Sequence, residues 1–283
     1  MIDRRTMIAS GIAAATLAPN IASARQAGGR LRAMSFNVRL PIASDGENFW
    51  PNRASLFFDT VRAADPDIVG TQELFKLQGD AWIAGLPNWA WFGIDRRGGH
   101  ADEHMGVFYR HDRLRVVQLG NFWLSDTPQV PGSISWGHPL PRMATWGLFE
   151  RIGDGRRFHL FNTHFPYREE DEAARTKCAA LIARQVAAIA GNGPAILTGD
   201  FNTGPDSEAH ALLTRTLADG RDAAATVEGP EGTFHDFTGT PGKRIDWICT
   251  RGFGVDRFAT IDTGKGGRYP SDHFPVMTDL HFT

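Results

Sequence analysis

Short apolar runs separated by polar and turn-forming residues recur along most of the chain. Runs of four to eight residues rich in β-branched and aromatic side chains are typical of strands. They predict strands at 31–38, 68–71, 106–109, 115–119, 158–163, 195–198, 245–250 and 276–282. The strands at 106–109 and 115–119 are predicted to pair as a hairpin that turns at His111 and Asp112.

Helical periodicity is confined to a few segments. Residues 55–64 form an amphipathic pattern that Pro66 follows, and residues 169–190 form the longest one, which ends at Gly191. Residues 121–142 are rich in Pro, Gly, Ser and Trp without periodicity, which predicts a long surface loop. No repeat or linker divides the chain. The pattern therefore predicts an α/β domain with sheets at the centre and helices outside.

The first residues have the pattern of an export signal. Arg4 and Arg5 precede an apolar run at 7–18, and small residues at 22–24 follow it. The run is too short to span a bilayer comfortably, which favours cleavage over anchoring. We therefore expect residues 1–24 to be a signal peptide, with either the twin-arginine or the general secretory route, and residues 25–283 to be a periplasmic or secreted domain.

Charge and cysteine content narrow the function. The chain has 283 residues with 30 basic and 32 acidic side chains, and removing residues 1–24 takes away two arginines and one aspartate, leaving a net charge of −3. This balance is not that of a protein that binds nucleic acid through many phosphates. Cys178 and Cys249 lie in apolar patterns, so we expect two buried free thiols.

Chemically active residues follow several of the predicted strands. Taken singly, each of them is more typical of a turn, a cap or a satisfied core side chain. As a set they suggest a site at one sheet edge, and the set is Asn37, Glu73, His164, Asp200, Asn202, Asp246, Asp272 and His273.

The residue types indicate hydrolysis by water. Glu73 offers an oxygen ligand for a hard cation. Asp246 can orient a histidine, and Asp200 can position or deprotonate a water molecule. Asn202 can donate its amide to an oxygen that gains charge in the transition state. No Cys or Ser in these motifs has the surroundings of an activated nucleophile.

A family resemblance rests on three short motifs. In chain order they are Gly-Asp-Phe-Asn at 199–202, Arg-Ile-Asp-Trp at 244–247 and Ser-Asp-His at 271–273. The chain resembles the endonuclease/exonuclease/phosphatase superfamily from Asn37 to His273. The resemblance implies a four-layer α/β sandwich of two mixed sheets with helices outside, and Mg²⁺ or Mn²⁺ as cofactor. It implies a metal site at Asn37, Glu73 and Asp272. The implied catalytic residues are His164, Asp200, Asn202, Asp246 and His273.

Comparison with the family also suggests three substrate contacts, which are Arg39, Tyr109 and Arg142. Apurinic endonucleases have an acidic residue where this chain has Arg39, which argues against apurinic-site chemistry and suits an anionic substrate group. Tyr109 occupies a position where several relatives have an aromatic or polar residue. Arg142 is either a phosphate contact or part of a structural salt bridge. His100, His104 and His138 are expected at the surface.

Three functions remain open. The first is a phosphatase or phosphodiesterase for a small or lipid-linked organic phosphate, and the second is a secreted nuclease. The third is a non-catalytic binding protein, which the intact motifs disfavour. The acidic run at 169–172 would discourage a polyanion, although it could equally cap the next helix. We favour the small substrate, and expect a monomer with no stable membrane span.

Overall fold

The computed structural model describes residues 29–283, so the predicted signal peptide lies outside the described residues. The strands of this region are β1 (Arg30–Asn37), β2 (Ile68–Gln72), β3 (Trp89–Phe92), β4 (Val107–Arg110), β5 (Leu114–Trp123), β6 (Met143–Arg151), β7 (Arg157–His164), β8 (Ala195–Asp200), β9 (Ala218–Asp219), β10 (Thr226–Glu228), β11 (Asp246–Arg251), β12 (Phe253–Thr260) and β13 (Val276–Phe282). The helices are α1 (Trp50–Ala64), α2 (Lys76–Gly85), α3 (Glu172–Ala190), α4 (Glu208–Leu213) and α5 (Gly220–Ala223).

The strands form two mixed sheets. One has seven strands in the order β10-β12-β13-β1-β2-β4-β3, and the other has six in the order β5-β6-β7-β8-β11-β9. The parallel pairs are β1 with β2, β7 with β8 and β10 with β12, and the other neighbours are antiparallel.

Three hydrophobic clusters divide the molecule into four layers. Between the sheets, Leu31 of one sheet packs in a cluster with Ile196 of the other. Trp82 of α2 covers the outer face of the seven-stranded sheet, and Ile182 of α3 covers that of the six-stranded sheet. Full burial of a large apolar side chain contributes about 1.5–3 kcal/mol. The four-layer α/β sandwich implied by the resemblance is confirmed.

The two-residue repeat of each strand positions the site. In β8, Leu197 faces the helices, whereas Ile196 faces the other sheet. Asp200 lies four residues after Ile196, so its side chain points to the same face of the strand, between the sheets, at the last position of β8. Asn37 lies six residues after Leu31 in β1, so these two side chains also point to the same face. Polar side chains therefore end up in the gap between the sheets, at their common edge.

The sheets approach each other closely just beneath this edge. A Cβ atom on Gly70 would lie 2.1 Å from Thr198 Oγ1 and 2.6 Å from Asn162 Oδ1. Only glycine fits there. The buried Asn162 amide bridges the sheets, since its Oδ1 accepts a 2.6 Å hydrogen bond from Gln72 Nε2 and its Nδ2 donates to Thr71 O at 2.7 Å. The amide of Asn162 therefore has hydrogen-bond partners for both its oxygen and its nitrogen, and it supports the site that lies above it.

The predicted hairpin is wrong. Strand β4 already has β2 and β3 as neighbours, so β5 crosses to the other sheet and pairs with β6. The predicted loop at 121–142 begins later than expected, because β5 extends to Trp123. Helix α1 begins at Trp50 rather than at residue 55, with Pro51 in its first turn.

Burial settles the expectations about the two cysteines and about two of the histidines. Cys178 and Cys249 are buried free thiols, as predicted. His104 and His138 are buried rather than at the surface, since the ring of His104 bonds Leu74 O and that of His138 bonds Leu140 O. None of the helices in the described part of the chain is both long and apolar enough to cross a membrane.

Candidate active site

Three adjacent strands present the predicted catalytic side chains in register. His164 ends β7 opposite Asp200, which ends β8, and Asp246 begins antiparallel β11 opposite the same residue. Asn37 ends β1 on the facing sheet. His273 lies in the segment that leads into β13 and forms a bridge with Phe234. All five predicted residues among these are buried at one edge of the sandwich.

Asp200 is the centre of the cluster. Its Oδ2 accepts a 3.0 Å hydrogen bond from Asn37 Nδ2 and lies 3.5 Å from His164 Nε2 and 3.8 Å from His273 Nε2. Its Oδ1 accepts a bond from the backbone N–H of Asn202 at 3.0 Å. Burial, and then the nearby charge of Asp246, raise the pKa of Asp200 to about 7. A carboxylate with such a pKa is suited to take a proton near neutral pH.

The two histidines beside Asp200 differ in charge. Burial, reinforced by the positive charge of Arg142, lowers the pKa of His164 well below its ordinary value. Burial would also lower the pKa of His273, but the charges of Asp246 and Asp200 outweigh it and raise that pKa well above the ordinary value. The site therefore pairs a neutral imidazole with an imidazolium.

The predicted partnership of Asp246 and His273 is present. His273 Nδ1 and Asp246 Oδ2 are joined by a 2.9 Å hydrogen bond, and both side chains are buried. The bond leaves His273 Nε2 directed toward the cluster, 3.8 Å from Asp200. Asp246 is itself anchored, because its backbone N–H donates to Thr233 Oγ1 at 3.1 Å.

Backbone turns aim several of these side chains. Arg39, Glu73 and Asn202 all have left-handed backbone conformations, with φ of 55°, 57° and 52°. Such values are uncommon outside glycine and concentrate at functional sites. Each of these residues lies within two positions of the end of a strand, where the chain must turn sharply. The Asn202 side chain donates to Phe165 O at 3.1 Å, which fixes its amide group beside Asp200.

Glu73 and Asp200 offer a fit for a divalent cation. Glu73, Asp200 and His164 each have a ligand atom within 4.8 Å of the others. Asn37 Nδ2 donates to Glu73 Oε1 at 3.1 Å, so the amide ties the two carboxylates together. Within residues 29–283 neither carboxylate has an arginine or lysine at ion-pair distance. The two converging carboxylates, with His273 as the charged neighbour of Asp200 at 3.8 Å, offer the oxygen donors that suit Mg²⁺ or Mn²⁺.

Asp272 and Arg39 are tied to each other. Arg39 forms a two-point ion pair with Asp45, at 3.0 and 2.8 Å, and its Nη1 lies 3.4 Å from Asp272 Oδ2. Burial raises the pKa of Asp272, and Arg39 opposes that shift. Asp272 thus reaches the cleft, where the charges of His273, Glu73 and Arg39 act on it, and its role at the metal stays a prediction. The charge of Arg39 is already compensated, which weakens its predicted role in binding phosphate.

The cluster lies in an open cleft of about 930 Å³, within the size range of small-molecule sites. Its walls include Arg142, as predicted, but not Tyr109. Tyr109 pairs with Ile68 at the opposite end of β2, and its ring packs on Phe149 between the sheets. The prediction that Tyr109 contacts substrate is therefore wrong.

Sequence reasoning missed an acidic residue in this cleft. Glu103 is buried, pairs with Arg96 Nη1 at 2.9 Å and lies 4.0 Å from His164 Nδ1. Burial, and then the charge of Glu73, raise its pKa to about 7. Glu103 sits in an irregular segment between β3 and β4, where no strand pattern marks it. The only signal was its neighbourhood of histidines and acids at 100–104.

Comparison with known proteins agrees with this geometry. Residues 34–273 match the model of the Endonuclease/Exonuclease/phosphatase family, and the chain belongs to that family. A protein of that family from Bacteroides vulgatus is similar in structure, with a TM-score of 0.85, 33% identity, and coverage of 90% of this chain and 99% of that one. The mannosyl-6-phosphatase Bt3783 of Bacteroides thetaiotaomicron has a TM-score of 0.83 and 33% identity, over 89% and 100% of the two chains.

More distant relatives extend the likeness. The catalytic domain of human Nocturnin shares the fold at 18% identity, with a TM-score of 0.72 over 90% of this chain and 95% of that one. A protein of Acanthamoeba polyphaga mimivirus is 30% identical over 162 residues, which are 54% of this chain. The match spans 59% of the length of that viral protein.

Proposed function

We propose that this protein is a Mg²⁺- or Mn²⁺-dependent hydrolase of small or lipid-linked organic phosphates that acts by attack of an activated water. Membership of the family supports phosphoester hydrolysis in general. The observation that carries the finer proposal is Asp200, whose Oδ2 lies between a neutral and a charged imidazole, at 3.5 and 3.8 Å.

The residues divide the chemistry among them. Asp200 accepts the proton of the attacking water, while Asn37 and the N–H of Asn202 hold its carboxylate in place. His273 donates from Nε2 to a phosphoryl oxygen, and Asp246 keeps it charged and oriented. A cation held by Glu73 and Asp200, whose carboxylates the Asn37 amide ties together, would supply Lewis-acid stabilisation of the phosphoryl charge.

His164 Nε2 approaches the same oxygen of Asp200 as His273 does, at 3.5 Å. Because its imidazole stays neutral, it can hydrogen-bond the phosphate or the leaving oxygen without adding charge to a site that already holds an imidazolium. Buried Glu103, 4.0 Å from its second nitrogen, limits how the ring can turn.

The walls of the cleft favour a small substrate over a nucleic acid. Glu169 and Asp206 line its outer part without an ion pair among the described residues, and their charge would repel a polynucleotide backbone. The similar mannosyl-6-phosphatase supports an organic phosphate as the substrate class. We further propose that the protein acts as a monomer after export, with residues 1–24 removed.

A substrate panel tests the proposal. Purified protein would be assayed with Mg²⁺, Mn²⁺ or Ca²⁺ against nitrophenyl esters, sugar and inositol phosphates, sphingomyelin, RNA and single- and double-stranded DNA. We expect cation-dependent turnover of at least one small or lipid-linked phosphate. Turnover confined to DNA or RNA would instead support the secreted nuclease. Absence of turnover on every substrate, in protein shown to be folded and metal-loaded, would contradict the proposal.

A further inference from the structure

The side chain of Arg142 is a buried cation without an ion-pair or hydrogen-bond partner among residues 29–283. The residue is 3% exposed and immediately precedes β6, and its backbone carbonyl accepts a 2.7 Å bond from Leu124 N–H. Its Nη1 is buried without a hydrogen-bond partner within residues 29–283, and no carboxylate there lies within 4 Å of the guanidinium. The structural salt bridge considered from the sequence is therefore not formed within that part of the chain.

The other buried arginines of the described residues are all paired. Arg53 donates to four backbone carbonyls, and Arg175 pairs with Glu172 while donating to carbonyls of its loop. Arg96, Arg151 and Arg244 form ion pairs with aspartates or glutamates. An arginine remains charged when buried, and an uncompensated buried charge is costly. The charge of Glu103 acts on Arg142 from beyond ion-pair distance and is already paired with Arg96. A buried guanidinium without an ion pair of its own therefore points to a ligand.

The position of Arg142 indicates what that ligand is. It lines the cleft together with His164, Asp200 and His273, and its Cζ lies 5.9 Å from the ring centroid of Tyr167, which is 56% exposed at the rim. Its positive charge contributes to the lowered pKa of His164. The planar guanidinium matches the geometry of phosphoryl oxygens. The ligand is thus an anion at the reacting centre.

We propose that the cleft selects phosphate monoesters over diesters, and that Arg142 binds the terminal oxygen that only a monoester possesses. This inference rests on the proposed function. A diester has two terminal oxygens and a single charge, whereas a monoester has three and carries a charge of roughly −1.5 to −2 at pH 7.

Counting donors supports this assignment. His273 Nε2 and the free N–H of the Asn202 amide are two protein donors in the cleft, and His164 can add a further hydrogen bond. Arg142 adds a buried guanidinium without a carboxylate at ion-pair distance among the described residues. These groups and the cation of the proposed site can share the three terminal oxygens of a monoester, whereas a diester offers only two. With a diester, the guanidinium would meet an esterified oxygen, which is a weak acceptor, and its charge would stay uncompensated.

The test compares two esters with the same leaving group. We would measure kcat/KM for p-nitrophenyl phosphate and bis(p-nitrophenyl) phosphate in the wild type, R142M, R142K and a control, R184M, whose arginine lies exposed on α3. We expect the wild type to prefer the monoester. Losing a hydrogen-bonded charged contact should lower monoester kcat/KM in R142M by roughly 10- to 150-fold. The diester rate should change little, and R142K should fall between.

Thermal unfolding provides a readout that does not depend on turnover. Removing an unpaired buried charge should raise the melting temperature of R142M in phosphate-free buffer. Orthophosphate should raise the melting temperature of the wild type and R184M but not that of R142M. Equal losses on both esters, or a lower melting temperature with unchanged ester preference, would overturn the inference. A wild type inactive on both esters would count against the proposed function, while the orthophosphate shift would still decide the role of Arg142.

Discussion

The bond between Asp246 and His273 gives the sharpest test of how the site works. We consider three variants, Asp246→Asn, His273→Ala and the double variant. Asn is nearly the same shape as Asp, so Asp246→Asn removes the charge that holds His273 protonated and lets the amide select a different tautomer. His273→Ala removes the donor that faces the phosphoryl group.

The structure sets the expected magnitudes. The bond is 2.9 Å long, both side chains are buried, and a hydrogen bond to a charged group contributes about 1.5–3 kcal/mol. Asp246→Asn should therefore lower kcat by roughly 10- to 150-fold. His273→Ala should lower it by roughly 100-fold or more, the usual scale for a positioned donor. Because Asp246 acts through His273, the double variant should be about as slow as His273→Ala.

Steady-state kcat, with folding checked by circular dichroism, would be measured for the three variants. A matched control is available, since His281 Nδ1 and Asp256 Oδ1 form a 2.8 Å bond of the same kind with both side chains 51% exposed. Changing that exposed pair should leave kcat unchanged. Fully multiplicative losses in the double variant would refute the pairing, and near-normal turnover in both single variants would refute any catalytic role.

Four further outcomes are expected. Activity should vanish after chelation and return with Mg²⁺ or Mn²⁺, whereas Glu73→Gln should respond to added metal only at much higher concentration. Double-stranded DNA should be a poor substrate, and robust cleavage of DNA that weakens as salt is added would contradict this expectation. Mass spectrometry of protein from the native host should find a mature chain beginning near Arg25 rather than at Met1. Burial disfavours the charged form of Asp219, but its bonds to His210 and Arg244 outweigh burial and lower the pKa of its carboxyl. The loss of unfolding free energy in Asp219→Asn, measured by denaturation at several pH values, should therefore be largest above about pH 4 and shrink as pH falls further.

Much of the site could be predicted because its residues end strands. Asn37, His164 and Asp200 directly close apolar runs whose alternation fixes which face each side chain occupies. Parallel and antiparallel pairing then places Asp246 opposite Asp200 without further information from the loops. Sequence reasoning could therefore name these residues, and the family motifs supplied their roles.

The parts that could not be predicted depend on long-range pairing and on irregular backbone. Residues 106–109 and 115–119 looked like a hairpin, but the choice of partner strand is made by β3 and β6, neither of which was recognised in the sequence. Glu103 reaches the cleft from a loop. Arg39 forms an ion pair with Asp45, whereas Arg142 forms none within residues 29–283. Both facts depend on distances between side chains in the folded protein, which the sequence pattern does not reveal.

The most direct measurement is phosphate release by the wild type and Asp200→Asn, assayed side by side with Mg²⁺ or Mn²⁺ on the best substrate of the panel. Asp200 touches Asn37, Asn202 and both histidines, so it is the group on which the proposed water attack depends. We expect cation-dependent release by the wild type and a loss of roughly 100-fold or more in the folded variant. Undiminished release by Asp200→Asn would contradict the account.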